Sequence, residues 1–309
     1  MATARQAMQA ATKPRIGWIG TGVMGQSMAG FIRQAGYELT VYNRTKAKAQ
    51  GLLDAGAQWA DSPRAVGEAS DIVFSIVGYP KDVENVLIGE AGALRGMQAG
   101  GILCDMTTSS PALAERIALV AAEHGCTGMD CPVTGGDIGA RKGTLSIFAG
   151  GDDAAFARVK PLLECMGKTI MHCGPAGQGQ RAKLANQIAI AGVMFSTCES
   201  LLFAQEAGLN VRQWLETVVP GGAGSIAMGT LGRRVLDADY APGFFIDHFV
   251  KDLGLCIEEC RRMGLILPGL TAADQLYRTL QAQGHGKDGT QFMVKGLAEL
   301  CGKQWTTPK

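Results

Sequence analysis

The sequence carries almost no net charge: 29 Lys and Arg against 28 Asp and Glu leave a formal +1. That balance supplies no long-range field for nucleic acid or for a membrane surface, so neither is expected as a partner. The basic pairs Arg233-Arg234 and Arg261-Arg262 read as solvated helix faces. No Cys-x-x-Cys spacing occurs among nine scattered cysteines, an odd number. A disulfide framework is therefore disfavoured, and reduced thiols in the cytoplasm are the simplest reading. Cys256 and Cys260 stand four apart on an expected helix with no His or carboxylate set beside them. They read as core, and no metal is expected. The continuous apolar stretches, such as residues 188–195, fall short of the roughly 20 residues that cross a bilayer. Residues 1–13 hold basic but no acidic residues and lack the apolar centre of a secretory signal, so they read as a disordered tail. Low-complexity segments and internal repeats are absent.

What is present begins with IGWIGTGVMG at residues 16–25. A short buried strand runs into Gly20-x-Gly22-x-x-Gly25, and a helical pattern follows. Gly20 suits a tight turn, Gly22 lets a pyrophosphate approach the backbone, and Gly25 allows close helix–strand packing. Val23 and Met24 sit in the same loop. A second strand ends at Tyr42, where an NAD-binding domain normally offers a carboxylate to the ribose 2′-hydroxyl. Here Asn43, Arg44 and Thr45 stand instead. With no carboxylate to repel a 2′-phosphate and a guanidinium to pair with it, NADP(H) is expected over NAD(H).

A chain of 309 residues, 47% hydrophobic, fits two domains with real cores. Strand patterns at 15–19, 39–42, 72–77, 102–105, 127–132, 145–149 and 168–172 alternate with helical runs. That alternation implies a doubly wound, mostly parallel α/β sheet of the Rossmann kind over residues 14–176. From Gly177 onward only helical periodicity remains, giving an all-α domain over 177–309 that opens on a long helix at 178–208. So long an apolar helix needs cover on several sides, which points to a partner subunit burying part of it. Asp247 reads as the N-cap of a later helix.

Three further segments carry chemistry. In DCPVTGGDIGARKGTL, residues 130–145, Thr134, Gly135 and Gly136 offer a hydroxyl and successive N–H groups, a nest for a carboxylate. The alternative is a glycine-rich turn closing a sheet. In GQGQRAKLANQ, residues 177–187, Lys183, Asn186 and Gln187 share one helix face. The lysine can exchange a proton with a substrate oxygen, or it can simply snorkel to solvent. In FFIDHFVKDLG, residues 244–254, helical spacing leaves Lys251 either in solvent or facing a cleft.

Taken in order, these segments resemble the β-hydroxyacid dehydrogenase (3-hydroxyisobutyrate dehydrogenase-like) family over residues 15–301, and the Asn-Arg-Thr element resembles its NADPH-using glyoxylate/succinic semialdehyde reductase branch. The resemblance implies a dinucleotide held by Gly20, Gly22, Val23, Met24, Gly25, Asn43, Arg44 and Thr45. The nicotinamide half would be met by Val77, Gly78, Tyr79, Pro80, Thr107, Thr108 and Lys251. Lys183 would be the general acid–base and Asn186 its positioning partner. Thr134, in place of the family's Ser, would hold a small carboxylate-bearing substrate with Gly135 and Gly136. Gln187 replaces the family's second Asn as a secondary substrate contact. Two other readings remain on the same scaffold: an imine reductase-like enzyme and a non-catalytic NADP-binding module, both of which generally lack the lysine.

Overall fold

The computed structural model describes residues 13–306, so the tail expected over residues 1–13 lies, apart from Lys13, outside it. Lys13 itself is tied down, its ammonium donating to the Ala35 carbonyl at 2.7 Å. The N-terminal half is a nine-stranded sheet. Its strands are β1 (Ile16–Ile19), β2 (Leu39–Tyr42), β3 (Gln58–Trp59), β4 (Ile72–Ser75), β5 (Ile102–Asp105), β6 (Thr127–Asp130), β7 (Val133–Thr134), β8 (Leu145–Gly150) and β9 (Gly167–Gly174). They lie in the order β3-β2-β1-β4-β5-β6-β8-β7, with β9 also paired to β8. The first six are parallel; β8 runs antiparallel to β6 and β7 and parallel to β9. The strand order reverses between β1 and β4, so the ligand crevice of a doubly wound sheet falls at their carboxyl ends. The two shortest strands, β3 and β7, escape the sequence pattern because two residues show no period.

Helices cover both faces: α1 (Gly25–Gln34), α2 (Gln50–Asp54), α3 (Pro63–Glu68), α4 (Pro80–Leu87), α5 (Pro111–Glu123), α6 (Gly136–Lys142) and α7 (Asp153–Met166). Their starts follow capping chemistry. Ser62 and Ser110 accept from Ala65 and Leu113 N–H groups, each with proline at the next position. Asp152 accepts from Ala154 and Ala155. On one face of the sheet Trp18 stacks on Phe74 at 5.5 Å, fully buried among α1 and α7 side chains.

The second half is helical: α8 (Gln178–Glu206), α9 (Val211–Val218), α10 (Ile226–Leu236), α11 (Ile246–Met263), α12 (Pro268–Ala282) and α13 (Met293–Leu300). The others pack around α8, whose Met194, Cys198 and Leu201 lie at the centre of this core. Two expectations need correction. The 29-residue α8 is long and apolar enough, by length and composition, to cross a bilayer, because interspersed Gly, Ser and Thr do not interrupt a helix. Helices α9–α13 pack against it, and 44% of its apolar window is buried. Asp247 does not cap α11: the cap position is Phe245, and the Asp247 carboxylate instead accepts from Gln281 at 2.8 Å and Lys287 at 2.9 Å. Those partners pull its pKa below the usual carboxylate value.

Candidate active site

The glycine loop lies at the carboxyl end of β1. Gly20 has φ +97°, and a Cβ there would sit 2.1 Å from the Ile76 carbonyl oxygen. A Cβ on Gly25 would sit 2.1 Å from the Gly20 carbonyl oxygen, so neither position accepts a side chain. At Gly22 a Cβ would meet nothing within 4 Å, which leaves open space over the backbone. The α1 N-terminus beside it has no side-chain cap and no acidic residue in its first turn. Open space before uncapped, positively polarised N–H groups fits a pyrophosphate. Val23 is exposed and Met24 is the cap position.

Asn43 braces this loop. Its Oδ1 accepts from Thr21 N–H at 3.1 Å and its Nδ2 donates to the Thr45 carbonyl at 2.9 Å, so the amide shapes the loop rather than reaching outward. Arg44, by contrast, is 83% exposed, and among the described residues its one ion-pair contact is a loose 3.7 Å to Asp82. Thr45 is exposed beside it. Lys46, not singled out from sequence, places its ammonium 5.0 Å from the centre of the Trp59 ring at the same sheet edge. The signal available for it was its nearness to Arg44.

On the other side of the crevice, Val77 N–H donates to Thr107 Oγ1 at 3.0 Å and Met106 N–H to the Ser75 carbonyl at 2.7 Å. These bonds join the loops after β4 and β5. Asp105, buried below them, accepts from Ser75 Oγ at 3.0 Å and Thr107 N–H at 3.1 Å. Burial outweighs those donors and pushes its pKa up to about 7. Pro80 opens α4 after Gly78 and Tyr79, and Tyr79 reaches across to His248 of α11 with ring centres 5.8 Å apart.

Lys183, in the second turn of α8, is 7% exposed and makes no hydrogen bond to any described residue. Burial lowers its pKa to about 8; the Asp252 charge opposes that shift and Lys251 adds to it. Asp252 and Gln187 are both buried, and a polar chain runs through them. Asn186 Nδ2 donates to Gln187 Oε1 at 2.9 Å, and Gln187 Nε2 donates to Asp252 Oδ2 at 2.6 Å. Lys251 Nζ lies 2.7 Å from Asp252 Oδ1, an ion-pair contact without hydrogen-bond alignment, and donates to the Thr108 carbonyl. Lys251 therefore faces the cleft. Gln187, expected to touch substrate, has both ends of its amide committed within this chain.

Thr134 ends β7, and Gly135 (φ +125°) and Gly136 (φ +63°) follow at the exposed start of α6. Both glycines are exposed and hold positive-φ conformations that other residues rarely adopt. α8 packs directly against β7 and β8. A Cβ on Gly179 would lie 2.5 Å from the Phe148 carbonyl oxygen and 2.6 Å from that of Asp130. Asp130 also receives the helix start: Gly177 N–H donates to its Oδ1 at 2.7 Å and Gln180 N–H to its Oδ2 at 2.6 Å. Asp130, Gln180 and Asp252 were not identified as site residues from sequence. Each is a polar residue inside a recognised motif, and Gln180 precedes Lys183 by three positions, one helical turn.

A glycine loop open to a pyrophosphate, a two-loop crevice at the strand switch point and a buried lysine on an appended helical domain define an NAD(P)-binding oxidoreductase. Family models agree. Residues 15–174 match the NAD-binding domain of 6-phosphogluconate dehydrogenase, and residues 177–297 match the NAD-binding domain of NADP-dependent 3-hydroxyisobutyrate dehydrogenase. The chain belongs to the β-hydroxyacid dehydrogenase, or 3-hydroxyisobutyrate dehydrogenase-like, family. It is 54% identical to probable 3-hydroxyisobutyrate dehydrogenase-like 1, mitochondrial, of Arabidopsis thaliana, over 93% of this chain and 86% of that one. It is 38% identical to 2-hydroxy-3-oxopropionate reductase of Escherichia coli, over 92% and 97%. A 3-hydroxyisobutyrate dehydrogenase structure from Salmonella typhimurium superposes with a TM-score of 0.83 at 27% identity, covering 91% of this chain and 99% of that one. Among the described residues no group of three His, Cys, Asp or Glu side chains is placed to hold a metal.

Proposed function

We propose that this protein is an NADP-preferring dehydrogenase of small β-hydroxyacids, or equally a reductase of the corresponding semialdehydes, with Lys183 as general acid–base. When bound, the nicotinamide dinucleotide supplies or accepts the hydride. Lys183 supplies the proton to the substrate carbonyl oxygen in reduction and removes it from the hydroxyl in oxidation. Asn186 orients the substrate, and Thr134, Gly135 and Gly136 hold its carboxylate. The observation that carries this reading is Lys183 itself: a side chain only 7% exposed, with no hydrogen bond to any described residue and a pKa lowered to about 8. A lysine that only served packing would extend its charge to water. The 2-hydroxy-3-oxopropionate reductase relative supports a substrate with a carbonyl near a carboxylate.

The test is a steady-state assay with NADPH and NADH against small semialdehydes and 2-oxoacids, and with 3-hydroxyacids and the oxidised cofactors in reverse. Absence of turnover across the panel despite tight NADPH binding would turn the reading to a binding module. The nine cysteines are all free, which suits a reducing compartment, the cytoplasm in the simplest case. A homodimer or homotetramer built over the outward face of α8 belongs to the same proposal.

Cofactor choice rests on Arg44. A charge-assisted pair with a 2′-phosphate is worth about 1.5–3 kcal/mol. Arg44→Ala is therefore expected to raise the KM for NADPH by roughly 10- to 100-fold while that for NADH moves little. Equal changes for both cofactors would refute the 2′-phosphate role.

A further inference from the structure

The loop after β5 is held by side chains from the other domain. Gln180, fully buried in the first turn of α8, accepts from Ser109 N–H at 2.8 Å and donates from Nε2 to the Thr107 carbonyl at 2.8 Å. Lys251 donates to the carbonyl between them, that of Thr108. Thr107, Thr108 and Ser109 are thus each gripped from the helical domain, while Thr107 is also bonded to Asp105 and Val77 of its own. Packing alone does not require a glutamine here. A leucine of similar volume would fill the space, but it would strand a buried N–H and a buried carbonyl, at about 1–3 kcal/mol each. Gln180 and Lys183 lie one turn apart on the same helix.

We propose that Gln180 is a positioning residue: it fixes the spacing between the nicotinamide-facing loop and the proton-transfer lysine. This rests on the reading of Lys183 given above. Displacing one reactive partner by about 1 Å costs on the order of 100-fold in rate. Binding and catalysis should therefore separate on mutation.

Two substitutions test it. Gln180→Leu removes both bonds; kcat should fall on the order of 100-fold, with KM for cofactor changing only severalfold. In the cofactor-free protein the Ser109 amide should lose its protection from hydrogen exchange. Gln180→Glu adds a titrating group. In its neutral form the introduced carboxyl can still accept from Ser109 and donate to Thr107; once ionised, it repels the Thr107 carbonyl. Burial and the nearby Asp105 and Asp130 raise its pKa, and Lys183, Lys251 and Arg181 lower it. The kcat of Gln180→Glu relative to wild type should recover about tenfold as pH falls from about 8.5 to about 6, and Ser109 protection should return with it. A Gln180→Glu kcat equal to wild type at both ends of that pH range, or lost Ser109 protection with unchanged kcat, overturns the proposal. Lys183→Ala is the control. If it retains turnover, the catalytic reading fails; if it abolishes turnover while Gln180→Leu does not, the positioning role alone fails. Should Gln180→Leu not fold, Gln180→Glu at low pH decides the matter by itself.

Discussion

Lys183→Ala is expected to reduce kcat by about 10²–10⁴-fold while NADPH binding survives, since that is the usual worth of a placed general acid or base. Lys183 is on α8, whereas the glycine loop and Arg44 belong to the sheet domain, so dinucleotide affinity should be preserved. The pH dependence carries the sharper signature. With a pKa near 8, the ammonium form needed for carbonyl reduction is lost as pH rises through about 8, so kcat for reduction should fall there. Oxidation needs the neutral amine, so its kcat should rise through the same pH. Both steps should vanish in Lys183→Ala, leaving a flat residual rate. A variant that keeps near-wild-type turnover, or retains the wild-type inflection, would remove Lys183 from the chemistry.

The surroundings of Lys183 explain why its proton is poised. Burial alone favours the neutral amine. The Asp252 carboxylate resists, and its hold is shared with Lys251 and Gln187. Asp252 thus contacts Lys251, which is bonded to the loop after β5, while its charge favours the ammonium form of Lys183. His248 and Tyr79 close the outer edge, and burial lowers the His248 pKa. That favours a neutral imidazole near neutral pH and adds little competing positive charge.

Much of this was legible because the features concerned are periodic or local. Strand edges at Leu39–Tyr42 and Ile102–Asp105, and the helix Asp153–Met166, follow directly from hydrophobic spacing and caps. The glycine loop is legible because each glycine answers a separate steric demand, now visible at Gly20 and Gly25. What stayed hidden depends on contacts between residues far apart in sequence. Gln180 meets Ser109 across 71 positions, and Gln187 meets Asp252 across 65. No local pattern distinguishes such a buried amide from a surface one. Asn43 and Gln187 carry contacts of the same hidden kind: beside the ligand roles their motifs suggested, their amides are bonded to other protein groups.

Asp130→Ala should damage stability and catalysis together, because one carboxyl group anchors the helix that carries the lysine. Asp130 is fully buried, with burial pushing its pKa up and the Gly177 and Gln180 N–H groups pulling it down. Alanine leaves both donors without an acceptor at the start of a 29-residue helix. At about 1–3 kcal/mol for each of the two stranded groups, the loss is on the order of 2–6 kcal/mol. Water cannot readily substitute, since Gly150 and Gly179 are packed so closely that a Cβ on either would lie within 3 Å of Asp130. Asp130→Asn retains one oxygen acceptor and should lose roughly half as much. The thermal midpoint should follow that order, wild type above Asn above Ala, with kcat falling in parallel even well below the melting range. Because Gln180 hangs from the same carboxyl, Ser109 exchange should accelerate in Asp130→Ala as well. An Asp130→Ala protein with unchanged melting and unchanged kcat would mean that α8 is held in register by its apolar contacts with α10–α13 alone.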